Sequence, residues 1–305
     1  MTATAETASI YEFFKTIPSE EEAVAFVEQW RWQGNPWCPH CSSFNTARVT
    51  SGKPMPHRCR DCRKHFSVRT GTVMAEGKVP VHKWLLAIYY LHTARKGISS
   101  IQLAKELGVT QKTAWFLAHR IRTAMEHRGG LLGGEVEIDE TYVGGKEANR
   151  HQSKRQNLGR GPVGKQAVVG LQERGGTVRA QPIGNTERIT LHSTIVENVK
   201  RGSTIYTDGL PAYNGLPGYR HEAVSHSTGE YVRGMAHTNG IESFWALLKR
   251  GYIGIYHWMS FKHLHRYVNE FAHRESTGPG NGFNIIGNTV QGMIGQRLTY
   301  RELTA

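Results

Sequence analysis

The spacing of apolar residues changes twice along the chain and divides it into three sections. The first section, to about residue 70, opens with a helical pattern, in which glutamates at 20–22 lead into regularly spaced apolar residues. The second, about 78–128, has helical periodicity, and the third, from Leu131 to about Arg274, alternates strand and helix patterns. These patterns predict a multidomain α+β protein with segments at 1–72, 78–128 and 131–276, and a C-terminal tail at 277–305 without predicted structure.

The second section predicts three helices. The first covers about Val81–Thr93, and Ser99 or Ser100 can cap the next. Gly108 supplies a turn, and Thr110 can cap a third helix with one apolar stripe formed by Ala114, Leu117, Ile121 and Ala124. Two helices joined by a glycine turn are typical of a helix-turn-helix, so we expect a DNA-binding helical bundle.

The third of these helices opens with Gln111, Lys112 and Thr113. In a helix-turn-helix the N-terminal residues of the second helix face base edges in the major groove, so we expect these three side chains to contact DNA. The alternative is an ordinary helical hairpin that binds nothing.

The third section predicts strands at 134–145, 165–170 and 177–182, a helix at about 190–200, strands at 203–207 and near 222–225, and a long helix from Asn239. This order predicts an RNase H-like α/β catalytic domain, in which helices flank a mixed sheet. Asp139 falls on the first strand, Asp208 at the end of the fourth, and Glu242 on the long helix.

Three carboxylates brought together in this way can hold two divalent ions for phosphodiester chemistry, and hard Mg²⁺ or Mn²⁺ ions prefer such oxygen ligands. Each acid also has a purely structural explanation. Asp208 can form a turn before Gly209, Asp139 shares its strand with glutamates at 135, 137 and 140 that can simply be solvated, and Glu242 can belong to a capping box that starts at Asn239.

The long helix has two distinct faces. Asn239, Glu242, Ala246 and Lys249 share one face, whereas the apolar face carries Ile241, Phe244, Trp245 and Leu248. The small Ala246 leaves space on the polar face between an acid and a lysine. A plain surface helix would more often carry a long charged residue there.

The four cysteines form two Cys-x-x-Cys pairs, Cys38 with Cys41 and Cys59 with Cys62. Two pairs at this spacing predict a tetrahedral Zn²⁺ site without an open position, so we expect one structural zinc per chain. The alternative is a pair of unrelated redox dithiols.

Of the features of the composition, only the charge balance indicates a class of binding partner. The chain has 38 Lys and Arg against 25 Asp and Glu, a formal net charge of +13, which favours a polyanion such as double-stranded DNA. A basic segment at 146–165 includes Lys154 and Arg155, which we expect to contact DNA. The sequence lacks an apolar run of membrane-spanning length and a signal-peptide pattern, which predicts a cytoplasmic protein without a membrane partner.

Taken in order, the motifs resemble those of bacterial insertion-sequence transposases of the DDE type with an N-terminal zinc ribbon, the ISXO-like group. The stretches that carry the resemblance lie at 38–62, 98–125, 138–146, 206–209, 237–251 and 263–271. The resemblance implies that Asp139, Asp208 and Glu242 are metal-binding catalytic acids with two Mg²⁺ or Mn²⁺ ions per active site. It also implies that Lys249 is the basic residue two helical turns after the acid, in contact with DNA phosphate.

The function implied is cleavage at the ends of a DNA element followed by strand transfer into target DNA. Two ends must be joined, so we expect a homodimer or a higher homo-oligomer. Two alternatives are a DNA-binding regulator, which needs no acid triad, and a nuclease or resolvase of the same fold, which cleaves without joining.

Overall fold

The computed structural model describes residues 9–127, 129–145, 147–149, 151–155, 162–224, 237–278 and 282–305, without the side chain of Lys154. These residues form two compact units. The first unit contains the chain up to Glu126 together with the residues after 281, and the second runs from His127 to Gly278. The α+β class predicted from the sequence is confirmed, because the first unit combines helices with a three-stranded sheet and the second combines helices with a five-stranded one.

In chain order, the elements are α1 (Ile10–Thr16), α2 (Glu20–Trp32), β1 (Thr46–Arg48), β2 (His57–Cys59), β3 (His65–Phe66), α3 (Val81–Thr93), α4 (Ser100–Leu107), α5 (Gln111–Ala124), β4 (Glu135–Val143), β5 (Gln166–Glu173), β6 (Val178–Ile183), α6 (Arg188–Asn198), β7 (Thr204–Asp208), β8 (Arg220–Val224), α7 (Asn239–Gly251), α8 (Phe261–Thr277), α9 (Gly282–Gly292) and α10 (Tyr300–Thr304). A π-helical segment, Tyr252–Tyr256, directly follows α7. Within the described ranges, no helix is long and apolar enough to cross a membrane.

Helices α4 and α5 begin after capping residues that the sequence indicates, and α4 ends at the predicted glycine turn. The Ser99 hydroxyl accepts a hydrogen bond from the Gln102 amide, and the Thr110 hydroxyl accepts one from the Thr113 amide. Between the helices, Gly108 has a φ of +59°, a conformation that glycine adopts without the steric cost of a side chain. The predicted helices and turn are therefore present, because capping and turn residues act locally.

The three-stranded sheet of the first unit shares one hydrophobic core with the helices. Cys38, Cys59 and Phe66 are buried in the same cluster as the apolar faces of α3 and α5. Arg31, at the end of α2, donates hydrogen bonds to the carbonyl oxygens of Val68 (2.7 Å) and Thr70 (2.8 Å). The first unit thus unites two segments that the sequence pattern separates near residue 72.

The residues after 281, which the sequence pattern treats as a tail, complete this core. Ile286, Val290 and Met293 are buried in the cluster formed by α2, α3 and α5. A side chain at Gly287 would collide with the ring of Trp30, so α9 packs directly against α2. The hydrophobic pattern of the sequence did not predict that α9 belongs to this core, because the burial of α9 depends on partners more than 150 residues earlier in the chain.

The sheet of the second unit has the order β6-β5-β4-β7-β8. Strands β4, β5 and β6 pair antiparallel, and β7 and β8 run parallel to β4, with α6 as the connection between β6 and β7. One face of the sheet packs against α6, and the other packs against α7 and α8. The strands and helices predicted for this section are confirmed to within a few residues at their ends.

Candidate active site and metal centre

Two acids lie next to each other on the neighbouring parallel strands β4 and β7 in the interior of the second unit's sheet. Asp139 lies in β4, and Asp208 is the last residue of β7. The register pairs Ile138 with Thr207, so the two aspartates follow at equivalent positions. Carboxylate oxygens of Asp139, Asp208 and Glu140 all lie within 4.8 Å of one another.

Glu140 is part of this cluster, which corrects the interpretation of it as a solvated strand residue. Its side chain is half-buried, and its carboxylate accepts a hydrogen bond of 2.6 Å from the Tyr213 hydroxyl. Burial raises the pKa of Glu140, and the nearby charge of Asp208 raises it further. Strand alternation alone could not reveal this, because Tyr213 comes from a turn 73 residues later.

The cluster is electrostatically suited to a cation. Burial, followed by the negative charges of Glu140, Asp208 and Glu242, raises the pKa of Asp139 to about 7. Carboxylates held together at this distance repel one another, and a divalent cation with oxygen ligands relieves that repulsion. The donor set therefore fits a divalent metal ion. Asp208 also forms the turn that its sequence indicates, since its Oδ1 accepts a hydrogen bond of 3.0 Å from the Leu210 amide.

Glu242 lies on the exposed side of α7, outside the group of three mutually close acids. Its Oε1 accepts a hydrogen bond of 2.8 Å from the Thr238 hydroxyl. It is nevertheless near enough for its charge to raise the pKa of Asp139. The proposed capping box starting at Asn239 is wrong: α7 begins at Asn239, and its N-cap residue is Thr238, whose side chain makes no capping bond.

Glu137 is the second strand glutamate whose interpretation as solvated is wrong. It is only 3% exposed, and its Oε2 accepts hydrogen bonds from the amides of Gly240 (2.8 Å) and Ile241 (3.1 Å) at the start of α7. Sequence reasoning missed it, because the helix that buries it lies about 100 residues later. The only signal was its position two residues before Asp139, on the same face of the strand.

Lys249 lines a cavity of about 820 Å³ beside the end of β4. The cavity is also lined by Lys165 and by three aromatic side chains, Tyr142, Tyr252 and Trp258. Trp258 is 59% exposed. The cavity thus combines two cations with exposed ring surfaces, a mixture that suits nucleic acid.

The four cysteines of the first unit converge, and all four are free of disulfides. The sulfur atoms of Cys38 and Cys62 are 3.6 Å apart, as are those of Cys41 and Cys59. Four sulfurs in a tetrahedron around zinc, at about 2.3 Å, would be separated by about 3.8 Å, so the geometry fits a zinc site with four cysteine ligands.

The residues expected to read DNA lie at the start of α5. Gln111 and Lys112 are exposed and Thr113 is half-buried. The Gln111 amide donates a hydrogen bond of 2.8 Å to the Ser100 hydroxyl, and the Lys112 ammonium lies over the ring of Tyr300. In the basic segment, Arg155 is exposed and donates to the Ala148 carbonyl (2.7 Å), whereas the Lys154 side chain lies outside the described residues.

Comparisons with known proteins agree with this architecture. A family profile described as the ISXO2-like transposase domain matches residues 131–276, and one described as the transposase zinc-ribbon domain matches residues 18–65. The chain is 34% identical over 250 residues to the uncharacterized protein in transposable element ISH50 of Halobacterium salinarum, across 77% of this chain and 84% of the relative.

Among the matching solved structures is the cryoEM structure of the simian T-cell lymphotropic virus intasome in complex with PP2A regulatory subunit B56 gamma. The match covers 59% of this chain and 64% of that chain, just under two thirds, with 16% identity and a TM-score of 0.29. A likeness this low carries no argument about the fold.

The four-cysteine ribbon, the carboxylate cluster on a mixed sheet and the two matched profiles define the class as transposases with a zinc ribbon. The chain belongs to the IS1595 family of insertion-sequence transposases. The resemblance found from the sequence motifs is thereby confirmed, and membership implies DNA as the partner.

Proposed function

We propose that the protein binds the ends of its DNA element and catalyses metal-dependent strand cleavage and strand transfer at Asp139, Asp208 and Glu242. The observation that carries the proposal is the convergence of the Asp139 and Asp208 carboxylates on adjacent parallel strands in a chain of a transposase family. A regulator that only binds DNA has no use for half-buried, mutually repelling carboxylates.

In the proposed reaction, water attacks a phosphate at the element end, and the bond to the 3′ oxygen breaks to leave a 3′-OH. That hydroxyl then attacks a phosphate of the target DNA and forms a new phosphodiester, while the target's own bond between phosphorus and the 3′ oxygen breaks and the departing oxygen takes up the proton. When bound, two Mg²⁺ or Mn²⁺ ions would activate the nucleophile and neutralise the leaving oxygen.

The chain's own residues supply the ligands and hold the DNA. Asp139 and Asp208 present their carboxylates from fixed strands. The side chain of Glu242 is exposed, and its carboxylate reaches the two aspartates by rotating away from the Thr238 hydroxyl. Lys249, two turns further along α7, contacts a DNA phosphate from the cavity edge. Glu140 stays bonded to Tyr213 and contributes negative charge to the site.

The two units have separate roles in this proposal. The second is an RNase H-like domain, supported by three successive antiparallel strands followed by a helix and two parallel strands. The first contains a helix-turn-helix, supported by the caps and the Gly108 turn of α4 and α5. Gln111, Lys112 and Thr113 would read base edges, whereas Lys154 and Arg155 would contact phosphates.

The proposal also includes the zinc stoichiometry and the oligomer. One structural Zn²⁺ per chain is supported by four converging thiols, which leave no ligand position for water. A homodimer or larger assembly follows from the need to hold two element ends for joining.

The test is strand transfer in Mg²⁺ by full-length protein with labelled element ends, with gel-shift binding measured in parallel in Ca²⁺. Asp139→Asn, Asp208→Asn and Glu242→Gln should each abolish cleavage and joining but retain binding, because each amide is nearly isosteric and loses the charge that holds a cation. Glu197→Gln, on the exposed side of α6, is the matched control and should remain active.

Glu140→Gln decides which glutamate is the third ligand. We expect it to retain activity at a reduced rate, and a complete loss beside an active Glu242→Gln would assign the ligand to Glu140 instead. Binding without cleavage by the wild type would indicate a regulator, and cleavage without joined products would indicate a nuclease or resolvase.

A further inference from the structure

The backbone amides in the first turn of α7 are capped by a side chain from a different element of the fold. Thr238, the N-cap residue, makes no capping bond with its side chain, and its hydroxyl donates to Glu242 instead. The amides of Gly240 and Ile241 donate to Oε2 of Glu137, which belongs to β4. A carboxylate at this position satisfies two helix amides and interacts favourably with the helix dipole.

Glu137 is itself held from the opposite side. Its Oε1 lies 3.3 Å from Nε of Arg174 and 3.2 Å from Nδ1 of His237. The Arg174 guanidinium also lies 4.0 Å from the centroid of the Tyr206 ring and forms an ion pair with Glu135. A carboxylate that is 3% exposed and has partners on both oxygens has little freedom to move.

Two glycines allow the helix to approach the sheet closely. A Cβ at Gly240 would lie 2.8 Å from the Glu137 Oε2, and a Cβ at Gly170 of β5 would lie 2.6 Å from the Trp245 ring. Neither position leaves space for a methyl group unless its neighbour moves. The helix therefore packs closely against β4 and β5 at these two positions.

This contact lies next to the acids of the candidate site. Glu137 precedes Asp139 by two residues on the same strand face, and Glu242 follows directly after the Ile241 amide that Glu137 binds. The same carboxylate therefore connects the strand that carries one acid to the helix that carries another.

We propose that Glu137 is a positioning residue that fixes Glu242 relative to Asp139 and thereby sets the affinity of the site for divalent ions. This inference rests on the proposed function of the three acids. Partners that orient metal ligands usually change metal affinity or activity by about 10- to 100-fold when they are removed.

The experiment uses full-length protein and compares Glu137→Ala and Gly240→Ala with the wild type. Gly240→Ala forces the carboxylate away without deleting it. Glu197→Gln is again the control, because it removes the charge of an exposed carboxylate on α6, which packs on the sheet face opposite α7. Mn²⁺ binding is measured by electron paramagnetic resonance, the half-saturating Mn²⁺ concentration by strand cleavage, and folding by thermal unfolding and end binding.

Both test variants should weaken Mn²⁺ binding and raise the half-saturating concentration by about 10- to 100-fold, while end binding remains unchanged and the control behaves as wild type.

A parallel loss of thermal stability and end binding at unchanged Mn²⁺ affinity would make the role merely structural and overturn the inference. Unchanged Mn²⁺ affinity in folded variants would also overturn it, although cleavage by the wild type would still support the proposed function. If the wild type binds Mn²⁺ but cleaves no DNA, the binding data alone decide the role of Glu137. If it binds none, both proposals fail.

Discussion

The ammonium group of Lys112 lies 4.6 Å from the centroid of the Tyr300 ring. The same ring makes an edge contact with Phe116 one turn further along α5, with the centroids 5.5 Å apart. Helix α10, which carries Tyr300, thus abuts the N-terminal turn of the helix proposed to read DNA. Because a cation over an aromatic face is held by the ring quadrupole, Tyr300 orients Lys112 before DNA arrives.

Tyr300→Ala should therefore weaken binding to element ends by a few fold. An exposed cation–π contact contributes about 0.5–1 kcal/mol, which corresponds to a roughly two- to fivefold change in affinity. Gel-shift titration with element ends and with random DNA measures the effect. Tyr11→Ala is the control, because Tyr11 of α1 is a tyrosine that is largely exposed. An unchanged affinity for element ends would show that α10 does not shape the reading surface.

Cys59→Ser should release zinc and unfold the first unit. The apparent binding free energy of a structural zinc is about 10–16 kcal/mol, comparable with the whole stability of a domain. Since Cys38 and Cys59 are buried in the core shared with α3 and α5, loss of the metal should spread to those helices. Elemental analysis and calorimetry test this.

His40→Ala provides the comparison for the zinc measurement, because His40 is exposed between Cys38 and Cys41 but is not one of the four converging ligands. It should retain one zinc per chain. Equal zinc content in wild type and Cys59→Ser would contradict a four-thiolate site.

Asp139→Asn should stabilise the protein at pH 8 when no Mg²⁺ or Mn²⁺ is added. The pKa of Asp139 rises from 3.8 in its ordinary state to about 7 in the fold, so the folded carboxyl binds a proton that the unfolded one releases. The stability of the wild type therefore falls as pH rises through this window, at a cost of the order of 1–4 kcal/mol by pH 8.

Thermal unfolding of both proteins at pH 4 and pH 8 measures the difference. The advantage of the Asn variant should shrink towards pH 4, where the wild-type carboxyl is largely protonated in the folded chain. Added Mg²⁺ should stabilise the wild type and not the variant. A variant that gains nothing at pH 8 would show that the carboxylates do not repel one another as described.

Lys249→Ala should slow strand transfer without abolishing it, because we propose that the lysine contacts phosphate and holds no metal. Loss of one phosphate contact should reduce the slope of log affinity against log salt by about 1. Lys262→Ala, an exposed lysine of α8 that is not among the residues lining the cavity, is the control. A complete loss of cleavage at normal binding would give Lys249 a direct part in the chemistry.

Local sequence signals predicted the elements of the fold and two of the clustered acids. Asp139 and Asp208 could be placed together because strand patterns locate them on the strands, and parallel pairing then aligns them. Glu137 and Glu140 could not be interpreted correctly, because their burial comes from α7 and Tyr213, which are distant in sequence. For the same reason the apolar residues of α9 gave no signal, since their partners lie in α2 and α3.

The contribution of α9 to the first unit has a consequence during protein synthesis. The ribosome produces the whole of the second unit before it reaches residue 282, so the proposed nuclease half can fold while the N-terminal core still lacks Ile286, Val290 and Met293. Domains that are continuous in sequence generally fold as they emerge, but a core built from both ends of the chain must wait. A nascent chain that stalls between these points would carry the carboxylate cluster without a finished core in the unit that we propose finds DNA ends, so the proposed end recognition would mature last.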